Sequence, residues 1–96
     1  MYSLNIRLLA KEDIQEIVDY YDEKVPTVTD KFLTALFSDI ELLKKNPLLF
    51  EKKYRDTRVR FMKHFPFGVH YRLVNNKVEI LAVLHTSRNP KIWEER

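Results

Sequence analysis

Residues 67–85 read "FGVHYRLVNNKVEILAVLH", two alternating runs on either side of a pair of asparagines. Alternation with period two marks half-buried strands, and asparagine suits a tight turn because it tolerates left-handed backbone. A two-residue turn at Asn75-Asn76 sets position 74 opposite 77. Tyr71 is then expected opposite Ile80, Val69 opposite Ala82 and Phe67 opposite Leu84, all on one core-facing side. The other side receives His70 with Leu81, Arg72 with Glu79 and Gly68 with Val83. It is mixed in character and expected to be less covered.

Just upstream, "RVRFMKH" (58–64) alternates as well. Placing Val59 and Phe61 in the core sends Arg58, Arg60 and Met62 to the side of His70 and Arg72. An even loop at Phe65-Pro66 would oppose that arrangement. An odd loop or a bulge is therefore expected near Gly68, the single glycine of the chain.

The first half changes period. "YSLNIRLL" alternates, with Leu4, Ile6 and Leu8 on one side, as a half-buried strand does. From Lys11, Ile14, Ile17, Val18 and Tyr21 stand at helical spacing, with Glu12 and Asp13 expected in the first turn and Lys24 in the last. "VPT" interrupts this helix, since proline disfavours helical backbone in the residue before it yet suits a helix's first turn. A second helix carries Val28, Phe32, Leu36, Ile40 and Leu43 along its stripe, widened by Leu33 and Phe37. "KKNP" closes it, with Asn46 expected as a left-handed cap. The expected fold is α+β, in the order β-α-α-β-β-β. Two antiparallel helices pack on one face of a four-stranded, mainly antiparallel sheet, and residues 1–96 form one domain.

Composition narrows the function. With 96 residues, 45% of them apolar and 32% charged, the chain has ordinary globular chemistry and room for one core. It has no cysteine, which excludes disulfides, thiolate metal sites and a thiol nucleophile. Its three histidines are scattered, so neither a metal nor a cofactor is expected. No apolar run nears the roughly 18 residues that span a bilayer, and the expected location is cytoplasmic, away from membranes. Residues 1–50 carry a net charge of −3 and residues 51–96 a net of +6. A basic half facing an acidic half suggests an anionic partner, either nucleic acid or an acidic protein segment.

Several residues could carry chemistry. Arg58 and Arg60, two apart on a strand, could grip adjacent phosphates, or could be solvated surface arginines. Arg72 opposite Glu79 reads first as a cross-strand ion pair. His85, at the end of the last strand, is suited to proton transfer near neutral pH, but could equally cap the strand through the following loop. His64 and His70 have weaker claims. Arg88 follows within one turn and Asn89-Pro90 bends the chain. Ser87 has no acid placed for a His-Asp relay, which makes a serine hydrolase a poor reading. Trp93 could pack as a lid over Leu81 and Val83 or stack on a base.

Three motifs carry a resemblance: "YRDTR" (54–58), "FPFGVHY" (65–71) and "LHTSRNPKIW" (84–93), set behind the helical stretches "DIQEIVDYYDE" and "FLTALFSDIELLKKNP". Together they make the chain resemble the RelE/ParE superfamily of bacterial type II toxin–antitoxin systems across nearly its whole length. The resemblance implies a compact toxin, of the kind tied to plasmid stabilization, that is neutralised by a wrapping antitoxin encoded beside it. ParE-like members are inhibitors of DNA gyrase and need no hydrolytic site. RelE-like members are ribosome-dependent mRNA endoribonucleases, and here His85, Arg88 and Arg58 would be the catalytic set. The C-terminal tyrosine typical of RelE-like nucleases is missing, since no tyrosine follows Tyr71. This favours the ParE-like branch, in which Arg58, Arg60, Met62, His70, Leu81, Val83, Arg88 and Trp93 are expected to contact target or antitoxin. A third alternative is a non-toxic relative that only binds antitoxin.

Overall fold

The computed structural model describes residues 2–88 and 90–94. Strand β1 (Ser3–Ile6) leads through Arg7 into helix α1 (Leu8–Lys24), and Val25 alone separates α1 from helix α2 (Pro26–Lys45). Strands β2 (Lys52–Tyr54), β3 (Thr57–Phe61), β4 (Phe67–Val74) and β5 (Lys77–His85) follow, and a one-turn helix α3 (Pro90–Glu94) comes last. The sheet order is β1-β5-β4-β3-β2, with β1 parallel to β5 and the other pairs antiparallel.

The sheet thus has five strands where four were expected. The additional one, β2, is only three residues long, too short for alternation to reveal it. It pairs Tyr54 with Thr57 across a two-residue turn in which Arg55 adopts φ 47°.

The helices form much as their periodicity dictates. Pro26 occupies the first turn of α2, where its missing N–H costs nothing. Phe32, Leu36, Ile40 and Leu43 are buried beneath that helix. Each contributes about 1.5–3 kcal/mol of apolar transfer free energy. Two expectations at the ends fail. Helix α1 begins at Leu8, three residues early, which leaves Leu8 70% exposed and moves Asp13 out of the first turn into a buried position. Asn46 caps α2 with φ −137°, not left-handed, while its N–H donates to the Leu42 carbonyl.

The hairpin between β4 and β5 follows the expected register only at its turn end. Asn75 takes φ 56°, Val74 faces Lys77, Arg72 faces Glu79 and Tyr71 faces Ile80. Beyond that point β5 carries one extra residue, Leu81. His70 consequently faces Ala82, Val69 faces Val83, Gly68 faces Leu84 and Phe67 faces His85. With a side-chain period of two, a single inserted residue exchanges faces for everything beyond it. Val83, expected on the outer face, lies in the helix-side core, while Ala82 and Leu84 turn to the second face, where both are buried.

Strand β3 is reversed relative to expectation. Arg58 faces Tyr71, Arg60 faces Val69 and Phe61 faces Gly68, and the Met62 N–H donates to the Phe67 carbonyl at 2.9 Å. The loop from residue 63 to 66 is even, and the bulge falls in β5, not beside Gly68. Arg58, Arg60 and Met62 therefore sit on the helix side. Val59 and His70 lie on the second face, where both are buried and Trp93 of α3 packs against His70. Alternation alone could not choose between two faces that are both largely buried.

Candidate functional site

The two arginines of β3 are held by the domain itself. The Arg58 guanidinium donates to the Phe50 carbonyl at 2.6 Å. Arg60 reaches Asp39 of α2 at 3.3 Å and lies 5.2 Å from the Phe50 ring centroid. Both are half-buried, so the expected basic outer face of the sheet does not form. Arg72 pairs with Glu79 as its spacing suggested, at 3.0 Å, and Arg7 joins the same carboxylate at 2.8 Å.

On the second face His70 is 1% exposed. Its Nδ1 lies 3.0 Å from the Tyr54 hydroxyl, and its ring meets Trp93 edge-on at 4.9 Å. Trp93 is thus a packed lid, although over His70 and Tyr54 and not over Val83. Met62, His70, Leu81 and Val83 are all buried and present little surface to a partner. Of the expected contact residues, Arg88 is exposed, and Arg58, Arg60 and Trp93 are partly exposed. Asn89 lies outside the described residues.

The bulge also decides the fate of His85. Had the register continued unbroken, its side chain would have left by the outer face. Opposite Phe67 it turns to the helix side, where its ring meets the Phe67 ring at 5.4 Å and 86°. There it helps line a cleft of about 450 Å³ between the C-terminal half of α1 and the ends of β4 and β5. The other walls are Glu16, Ile17, Tyr20, Tyr21, Pro66 and Phe67. Tyr21 is fixed there by edge-on contacts with Tyr20 at 5.7 Å, Phe65 at 6.1 Å and Phe67 at 6.4 Å. Burial, with a smaller effect from Tyr20, raises the Tyr21 phenol above its ordinary range.

His85 Nδ1 accepts from the Ser87 N–H at 3.1 Å and lies 2.7 Å from the Ser87 hydroxyl, while the Arg88 N–H donates to the His85 carbonyl at 3.0 Å. The histidine does cap its strand, as one of its two readings expected. With Nδ1 accepting, the proton of the neutral ring is on Nε2.

Chemically, the expected catalytic set is dispersed. His85 and Arg88 stand at one end of the hairpin, whereas Arg58 pairs with Tyr71, four residues along β4 from the partner of His85 and one strand further over. Strand geometry puts the Arg58 backbone roughly 16 Å from that of His85, and the Arg58 guanidinium is turned to the Phe50 carbonyl. Among the described residues no group of three His, Asp or Glu side chains could hold a metal ion. No helix among them is long and apolar enough to cross a membrane. The cleft residues Glu16, Tyr20 and Phe67 were not legible as a site. The helical stretch "DIQEIVDYYDE" and the "FPF" motif contain them, but nothing local said that the two segments meet.

Comparison with known proteins agrees with this architecture. Residues 4–90 match the family described as the ParE toxin of the type II toxin–antitoxin system parDE. Toxin ParE2 of Mycobacterium tuberculosis is 29% identical over 87 residues, covering 88% of this chain and 82% of the relative. Among solved structures, a chain of the chromosomal ParDE system of P. aeruginosa superposes with a TM-score of 0.67 at 21% identity, covering 88% of this chain and 96% of the other. The isolated RelE toxin of E. coli superposes with a TM-score of 0.63 at 13% identity, covering 99% and 95%. At those identities the two structures speak for the fold alone. The chain belongs to the ParE toxin family of type II toxin–antitoxin systems.

Proposed function

We propose that this ParE-family toxin inhibits DNA gyrase by contact, without cutting a nucleic acid, and that a cognate antitoxin holds it inactive. The observation that carries this reading is the dispersal of the nuclease set. An RNase must deprotonate a ribose hydroxyl, neutralise phosphate charge and protonate a leaving oxygen at one place. Here Arg58 and Arg60 are engaged by Phe50 and Asp39, far from the only exposed proton carrier of the set. The match to the ParE family over residues 4–90 supports the same branch, and the ParDE system of the P. aeruginosa relative supports an antitoxin partner. For contact with either protein this reading draws on Arg88, which is exposed, and on Arg58, Arg60 and Trp93, which are partly exposed.

A second reading, a RelE-like ribosome-dependent endoribonuclease, draws on His85 and Arg88, whose backbones are joined in one turn beside an open cleft. Purified chain added to a gyrase supercoiling reaction, and in parallel to a translating bacterial extract with cuts mapped by primer extension, separates the two. Lost supercoiling with intact message is expected. Discrete translation-dependent cuts with normal supercoiling would favour the nuclease.

A further inference from the structure

The cleft beside His85 has a composition that neither activity requires. Its walls are aromatic, from Tyr20, Tyr21, Phe67 and the His85 ring, and its charge is negative. Glu16 stands at the wall with no ion-pair partner among the described residues. It belongs to an exposed stripe of α1, Glu12, Glu16, Asp19 and Glu23, spaced four, three and four residues apart and thus aligned on one helical face. Of these, Asp19 accepts from Gln15 and Glu23 has only a 3.9 Å pairing with Lys24. Tyr20, one turn beyond Glu16, is 58% exposed although its ring is largely apolar.

Aromatic rings around a carboxylate form a setting for an organic cation. The negative ring faces attract it within about 6 Å of their centroids, and the carboxylate supplies the counter-charge. A planar guanidinium suits such a site better than an ammonium, because it is less strongly hydrated and stacks on rings while its edge donates to a carboxylate. The volume, about 450 Å³, admits a guanidinium with its methylene stem. We infer that the cleft seats an arginine side chain of a partner protein, its guanidinium against Tyr20, Tyr21 and Phe67 and its charge met by Glu16. Basic residues flanking that arginine then lie along the carboxylates of α1. This surface is opposite in sign to the one an acidic partner segment would seek, and it does not depend on the gyrase reading.

The test is a titration of the isotope-labelled full chain with N-acetyl-arginine methylamide, followed by amide chemical shifts. Its neutral isostere, N-acetyl-citrulline methylamide, serves as the control. Saturable shifts centred on Tyr20, Tyr21, Phe67 and His85 are expected, with citrulline at least about 5-fold weaker. Glu16→Gln and Tyr20→Leu, both at exposed positions that spare the core, should each weaken the arginine probe by about 3- to 10-fold. Three results would overturn the inference: equal binding of citrulline, shifts confined to the α1 carboxylates with Phe67 and His85 unmoved, or undiminished binding by both variants.

Discussion

The carboxylate of Asp13 accepts a hydrogen bond from the backbone N–H of Val83 at 3.0 Å, tying α1 to β5 two residues past the inserted Leu81. Both groups are buried. A bulge disrupts the ladder, and a side chain from the helix layer supplies an acceptor close beside it. Asp13→Ala leaves a buried N–H without this partner and should cost about 1–3 kcal/mol in urea unfolding. A loss below about 0.5 kcal/mol would mean that the bond is replaceable by water.

Gly68 is required by close approach, not by its dihedral angles. A Cβ there would lie 3.0 Å from Val59 Cγ1 and 3.4 Å from Phe61 Cδ1. Gly68→Ala should destabilise the domain by about 1–2 kcal/mol through overpacking. Because Val59 makes the tighter contact, Gly68→Ala and Val59→Ala should combine with less than additive cost in a double-mutant cycle. Additivity would show that the strand shifts instead.

Tyr71 sets an alkaline limit. Its hydroxyl donates to the Pro47 carbonyl at 2.6 Å inside the core, and burial, only partly offset by the Arg58 charge and a backbone hydrogen bond, pushes its pKa up from 10.0 to about 12. The folded state holds this proton more tightly than the unfolded chain does, so the associated stability is complete below pH 10 and is lost as the pH rises toward about 12. Tyr71→Phe should be less stable at neutral pH by about 1 kcal/mol and should lose stability less steeply above pH 10. Parallel pH profiles of the two proteins would contradict this.

Arg60 is now expected to matter for stability. Its pairing with Asp39 is partly shielded, with side-chain exposures of 24% and 13%. A double-mutant cycle on Arg60→Ala and Asp39→Ala should return a coupling of about 0.5–1 kcal/mol that shrinks in high salt. No coupling would mark the pair as a surface contact of no energetic weight.

The sequence disclosed what local physics controls. Phe32, Leu36, Ile40 and Leu43 of the α2 stripe, the turn at Asn75 and the Arg72–Glu79 pairing depend on spacing within a few residues and stand as expected, whereas Phe37, expected to widen that stripe, is 52% exposed. Face assignments failed where they required information from across the sheet. Leu81 is indistinguishable from its apolar neighbours in "EILAVLH", so nothing marked it as the inserted residue, yet it turned His85 toward α1 and Val83 into the core. The reversal of β3 had a similar origin. Its helix-side arginines meet α2 and the loop at Phe50, Thr57 and Val59 are buried on the other side, and a pair of arginines on such a strand looks like a solvent face until Asp39 and the Phe50 carbonyl are seen beside it. The cleft was hidden for the same reason, since its acidic wall and its histidine are far apart in sequence.

The most direct test of the gyrase reading is supercoiling by purified gyrase in the presence of the wild-type chain and of its His85→Ala variant, with message integrity followed in a translating extract. The account predicts that the wild-type chain abolishes supercoiling, that the variant does so within about 10-fold of the same concentration because no proton transfer is involved, and that message stays whole with both. Unaffected supercoiling, together with message cleavage that His85→Ala slows by about 10²–10⁴-fold, would contradict it and make His85 the proton carrier of a nuclease.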